Sequence, residues 1–357
     1  MSTLQSTQAG IQTSSRVDGR PAGSLRFDLV AALLSAGFII GIFIDGWAHN
    51  HGRVDNTFFT PWHAVLYGSV LAIAAHLSLT QTRNMLKGYA WSKSLPIGYG
   101  WSLIGVGVFF AAGGFDFLWH GWFGFEANLG LLLSPAHFAL GTGAFLFLTG
   151  PIRAALKRRD ALSSWREVLP AMLSITFVLS LLTFFTMYMN GWGNIRNIAS
   201  TSTPGNGDLV QIMAIASVLF QTAATMGLIL LAMRWWKLPF GAITLVLTLN
   251  AALMLWVRWG WINQYILVML AAPIAGLLGD VLLRVLKPSA ERPNQVRLFS
   301  VGLPFMLFAV YFAILIPSYG TWWTVHMWTG IIFMASVVGL FISYLVFPYG
   351  SEGDAHA

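Results

Sequence analysis

The sequence predicts an all-α, polytopic integral membrane protein of about ten transmembrane helices, and three observations lead there. Apolar residues make up 56% of the 357 and charged residues only 9%, with a mean hydropathy of +0.68. A soluble domain carries roughly 25% charge, so these few charges suit a lipid-facing surface, not a water-facing one. Second, ten stretches approach the ~20 apolar residues that a spanning helix needs. Third, the basic residues alternate between loops in step with that helix count.

The ten predicted spans are Phe27–Ala48, Pro61–Gln81, Ile97–Gly121, Gly130–Gly150, Leu169–Asn190, Leu209–Arg234, Leu238–Arg258, Ile262–Val285, Leu298–Pro317 and Thr321–Phe347. Ten spans put both termini on one side. That side then receives seventeen of the twenty Lys and Arg residues, and the other receives only Arg53, Arg196 and Arg258. Positive loops face the cytoplasm. The expectation is a bacterial cytoplasmic membrane protein with both termini inside. The net charge of +7 and the run Lys157-Arg158-Arg159 then report orientation, not a nucleic-acid partner.

The chain divides into a Ser/Gln/Gly-rich tail (1–24), a unit of four helices (25–150), a basic loop (151–168), six further helices (169–348) and a short tail (349–357). The first tail lacks the apolar core of a signal peptide. It is expected to be disordered, with the first helix as an uncleaved signal-anchor. Cysteine is absent, so any metal must be held by His, carboxylate or Met.

Within the four-helix unit, a polar pattern occurs twice. Asp45-Gly-Trp-Ala-His49, Asp55 and Thr60-Pro61-Trp62-His63 are followed by Asp116-Phe-Leu-Trp-His120, Glu126 and Ser134-Pro135-Ala136-His137. The first three positions recur at a spacing of 71 and the last three at 74. An Asp and a His four apart share one helix face. Thr60 and Ser134 suit an N-cap, and Pro61 and Pro135 the first helical position. His63 and His137 therefore start the second and fourth helices. All six ligating candidates fall at the outer, extracytoplasmic helix ends. Two such hairpins in the same orientation would form a four-helix bundle with a metal centre between facing helices.

Carboxylate plus imidazole suits iron, zinc or copper(II), and one or two ions are expected. The same residues would also serve as caps and an interhelical hydrogen-bond network. Asp55 and Glu126 are candidates to hold imidazoles from behind, or to be solvated loop acids. His326, within Trp322-Trp323-Thr-Val-His326-Met-Trp328, opens the tenth helix on the same side. It is a further candidate to support the site, although an interfacial aromatic belt and a packed core histidine explain that segment more simply. His51 has no counterpart in the second unit and reads as a loop histidine. His76 reads as a packed histidine and Asp280/Arg284 as an intrahelical ion pair. Gly105, Gly107, Gly113 and Gly114 read as close-packing positions. Trp47, Trp62, Trp119, Trp122 and Phe123 are candidates for an apolar wall around the centre.

These motifs resemble those of a transmembrane subunit of the copper membrane monooxygenases, the group that includes particulate methane and ammonia monooxygenases. The residues carrying the resemblance are Asp45, His49, Arg53, Asp55, Phe59-Thr60-Pro61-Trp62-His63 and Tyr67-Gly68, then Asp116, His120, Glu126 and Pro135-Ala136-His137. The resemblance covers roughly residues 25–150, and Asp116 stands where that family has Asn. It implies copper at Asp45, His49 and His63 and at a neighbouring site of Asp116, His120 and His137. It also implies a monooxygenase activity on a small apolar substrate (a hydrocarbon or ammonia), an external electron donor, and a homo- or hetero-oligomer. The alternative class is a non-catalytic metal-binding membrane protein for copper storage, transport or sensing.

Overall fold

The computed structural model describes residues 19–53, 59–124, 132–158, 163–199, 207–260 and 264–348. Among them, ten helices are long and apolar enough to cross a membrane: α1 (Leu25–Asn50), α2 (Pro61–Leu86), α3 (Gly100–Phe123), α4 (Pro135–Leu156), α5 (Trp165–Phe185), α6 (Gly207–Trp235), α7 (Ala242–Trp259), α8 (Ile266–Leu286), α9 (Pro293–Tyr319) and α10 (Val325–Val346). The described residues form no β-strand, and their ten long apolar helices make a polytopic integral membrane protein, as the composition predicts. The two tails lie outside the described residues, apart from residues 19–24.

α1 packs along α2, and α3 along α4; α2 meets α3 and α1 meets α4, which closes a ring of four. α5 is the most enclosed helix and touches α1, α4, α6 and α7. Beyond it the helices follow one another in space as α7, α8, α9, α10 and α6. One continuous buried core runs from Ala31 to Phe347, through both the first four helices and the last six.

Glycines set the closest approaches. A Cβ on Gly41 of α1 would lie 2.8 Å from the Leu66 Cα of α2. A Cβ on Gly105 of α3 would lie 2.7 Å from the Gly143 carbonyl of α4, and one on Gly143 would lie 2.7 Å from the Phe109 nitrogen. In lipid, such small residues let backbones pack closely where no hydrophobic drive exists between helices. Gly113 belongs to the same class, because a Cβ there would meet the Tyr67 hydroxyl at 2.8 Å. Gly107 and Gly114 do not: a Cβ on either meets nothing within 4 Å, and both face outward.

Two other features differ from expectation. The basic loop is shorter than predicted, because α4 continues to Leu156 and α5 begins at Trp165 with a Ser164/Glu167 capping box. Arg153 lies inside this added turn, not in a loop. Its guanidinium donates to the Gly98 carbonyl at 2.8 Å, Ser102 Oγ at 2.9 Å, the Leu146 carbonyl at 2.8 Å and Thr149 Oγ1 at 2.5 Å. Those four acceptors offset the cost of burying a cation.

The Asp280–Arg284 ion pair does not form. The fully buried Asp280 reaches across from α8 to the start of α7 and accepts from the Ile243 and Thr244 amides, each at 3.1 Å, and from Thr244 Oγ1 at 2.6 Å. Helix-start N–H groups lack intrahelical partners and attract negative charge. Arg284 instead stacks its guanidinium 4.4 Å from the Phe240 ring centroid. Gly276, one turn earlier on α8, gives the room for this, since a Cβ there would lie 2.5 Å from Thr244 Cα. Asp280→Ala leaves these buried donors without an acceptor and is expected to cost about 1–3 kcal/mol. A lowered melting temperature of the purified variant in detergent, with Arg284→Ala close to wild type, checks this.

Candidate metal centre

The repeated motif folds into two matching clusters. Asp45 and His49 occupy the last two turns of α1, and His63 the first turn of α2. Asp116 and His120 occupy the end of α3, and His137 the first turn of α4. The caps form as the sequence predicts: Thr60 Oγ1 accepts the His63 amide at 3.2 Å, and Ser134 Oγ accepts the His137 amide at 3.2 Å, with Pro61 and Pro135 opening their helices. The cap therefore fixes the rotation at which each helix presents its histidine. The Gly41 contact brings α2 against α1, and the Gly105–Gly143 contact brings α4 against α3.

The side chains converge in both clusters. Asp45 Oδ1 lies 3.3 Å from His63 Nε2 and 3.8 Å from His49 Nε2. Asp116 Oδ1 lies 3.5 Å from His120 Nε2 and 3.6 Å from His137 Nε2. Within each set the three ligand atoms lie within 4.8 Å of one another. Asp45 Oδ1 is buried and accepts no hydrogen bond, although two imidazole nitrogens stand beside it. This spacing suits a bound ion. Ligands at about 2.1 Å from an ion and separated by the tetrahedral angle stand about 3.4 Å apart.

The imidazoles of the second cluster are also held from behind. His120 Nδ1 lies 3.3 Å from the Gly124 carbonyl, which can only accept, so Nδ1 donates there and the ring turns its Nε2 toward Asp116. Ser134 Oγ lies 2.7 Å from His137 Nδ1. One serine thus caps α4 and steadies its histidine, an arrangement typical of metal-ligating imidazoles. The two clusters differ in burial: the Asp45 side chain is 17% exposed and that of Asp116 only 4%.

Both clusters open onto one cavity of about 60 Å³. Asp45, His63, Asp116 and His137 line it together with Tyr67. Tyr67 lies between the clusters, within electrostatic reach of both carboxylates, and its ring meets the His63 ring edge to face at 6.2 Å. The rest of the wall is apolar and includes Phe38, Phe109, Phe184 and Phe185.

Asp55 and Glu126 lie outside the described residues. His326 is exposed on the first turn of α10, a helix packed on α6 and α9, so it is neither a core histidine nor among the residues of either cluster or its cavity. His51 turns back to the Trp47 carbonyl at 2.7 Å, and His76 stacks on Phe27 at 4.4 Å. None of Trp47, Trp62, Trp119, Trp122 and Phe123 lines the cavity, and Trp122 and Phe123 are 65% and 69% exposed. The wall is built instead from helix interiors, including Leu181, Phe184 and Phe185 of α5. Residue spacing within α1 to α4 carries no signal for that contribution.

No family model, curated protein or solved structure matches this chain.

Metal analysis tests the two clusters separately. With one or two ions expected, the metal content of the loaded protein is expected to fall in His49→Ala and in His120→Ala and to be lost in the double variant. Gly113→Ala would force the Tyr67 ring to shift, because the added Cβ would lie 2.8 Å from its hydroxyl. A lowered melting temperature of the purified variant in detergent, with Gly114→Ala close to wild type, checks this contact.

Proposed function

We propose that this chain is a copper-dependent membrane monooxygenase, or one subunit of such an enzyme. It would hydroxylate a small apolar substrate, a hydrocarbon or ammonia, at two neighbouring Asp/His/His centres near the outer membrane face. The observation that carries this reading is the convergence of two one-carboxylate, two-imidazole sets on a single apolar-walled cavity. Three protein ligands per ion leave a coordination position open, which is the hallmark of a catalytic site and not a structural one. The copper assignment rests on the resemblance of the two motifs to those of the copper membrane monooxygenases, and nitrogen-plus-oxygen donor sets fit copper(II).

Copper bound at these residues would supply the redox chemistry that activates dioxygen. The chain's own residues bind and shield it. Asp45 and Asp116 would offset part of the ion's charge. The imidazoles of His49, His63, His120 and His137 would complete the two sets, and Gly124 and Ser134 would orient the second pair. Phe38, Phe109, Phe184 and Phe185 would keep bulk water from the reacting volume. At about 60 Å³ the cavity holds only a few small molecules, since one water needs about 10–15 Å³ by this measure. That size favours gas-like substrates. No haem, flavin or nicotinamide motif is present in the sequence, so electrons would come from an external donor, and partner subunits would deliver them.

Purified protein, loaded with copper and given a reductant and candidate partner subunits, is expected to form an oxygen-dependent product from short alkanes, alkenes or ammonia. The product and the copper EPR signal should both disappear in His49→Ala/His120→Ala. Stoichiometric metal without any such product would reassign the chain to metal storage, transport or sensing.

A further inference from the structure

A second feature lies at the opposite end of the molecule from the two clusters. A groove of about 590 Å³ opens between the α6–α7 and α8–α9 connections. Arg234, Trp235, Trp236 and Lys237 line it from the first connection, and Lys287, Pro288, Ser289 and Glu291 from the second. Its floor is apolar, with Met233, Leu238, Leu283 and Phe347 among the lining residues.

The cations at the rim come from separate segments and are all exposed. Arg234 donates to the Val346 carbonyl at the end of α10, which anchors one charge over the groove. Lys287 caps α8 in the left-handed conformation, with φ at 48°, and is the one non-glycine residue with positive φ among the described residues. That conformation is costly for a lysine, and Gly or Asn usually takes it. Here it turns the chain sharply at the helix end and sets a cation beside the groove. Glu291 is the one acidic lining residue; the Ser289 hydroxyl donates to it at 2.6 Å and holds its carboxyl below the usual range. Three cations against one carboxylate leave the groove with a net charge of about +2.

We propose that this groove binds the phosphate of an anionic glycerophospholipid, with the acyl chains leaving over the apolar floor. Charge, shape and position agree on this occupant. A cationic rim above an apolar floor matches a molecule with a phosphodiester head and hydrocarbon tails. Trp235, 39% exposed, suits the headgroup level, where amphipathic rings gather. The basic end of the bundle meets the anionic inner leaflet on the positive-inside reading, and basic pockets between transmembrane helices on that side hold lipid headgroups. A phosphate shared by Lys237 and Lys287 would tie the two connections together.

The test uses the full chain, delipidated in detergent, and the double variant Lys237→Gln/Lys287→Gln. A second double variant, Arg83→Gln/Lys87→Gln, removes two charges at the same end of the bundle but outside the groove. Native mass spectrometry counts bound phosphatidylglycerol or phosphatidylcholine, and thermal melting reports stabilisation by each lipid and by inorganic phosphate. Wild type and the Arg83/Lys87 variant are expected to retain phosphatidylglycerol in preference to phosphatidylcholine. The groove variant is expected to bind it about tenfold or more weakly, with an unchanged melting temperature in lipid-free detergent. Equal binding by the two double variants, or equal binding of the two lipids, would overturn the proposal. Stabilisation by inorganic phosphate alone would overturn the lipid assignment in favour of a free-phosphate site. None of these readouts involves the metal centres.

Discussion

The close approach of paired helices at glycine is the constraint on which the two Asp/His/His clusters depend. Gly41 against Leu66 sets α1 on α2, and Gly105 against Gly143 sets α3 on α4. Without those contacts, Asp45 would not reach His63, nor Asp116 His137, because each pair is split between two helices. A third contact, Gly113 against Tyr67, joins the hairpins and lets one phenol serve the space between them. Between lipid-facing helices, van der Waals fit and polar contacts decide association. A missing Cβ is therefore the simplest way to specify which helices meet and at what height.

Much of this was legible in the sequence. The ten spans follow from length and hydropathy. The two triads follow from spacings of four within a helix and from Thr/Ser-Pro caps, which set the first turns holding His63 and His137. These are local rules, and local rules read well from one chain. The contributions of residues distant in sequence were not legible. Asp280 sits four residues from Arg284, and spacing pairs them. The structure pairs Asp280 with the bare amides of α7 instead, because unsatisfied helix-start donors attract a buried carboxylate more strongly than an exposed arginine does. Arg153 read as a loop charge for the same reason: its four acceptors lie on α3, on α4 and in the turn before α3.

The cavity wall shows the same limit from the apolar side. Tryptophans next to the histidines in sequence suggested themselves as its lining, yet adjacent helix positions point in different directions. The phenylalanines that do line it come from the interiors of α1, α3 and α5. α5 is apolar nearly all round, so no face of it stands out. That helix also explains why the last six spans are not a separate body. It stands between them and the first four, within a single core.

The duplicated motif is symmetric in residue order but not in surroundings. Asp116 is nearly sealed, whereas Asp45 and its two histidines keep about a sixth of their side-chain surface open. The difference lies in the carboxylates and not in the imidazoles as a set, because His137 of the second cluster is 22% exposed and His120 10%. The two carboxylates, alike in sequence, would therefore not respond alike to the same charge placed beside them, since a charge interaction strengthens as the surrounding dielectric falls.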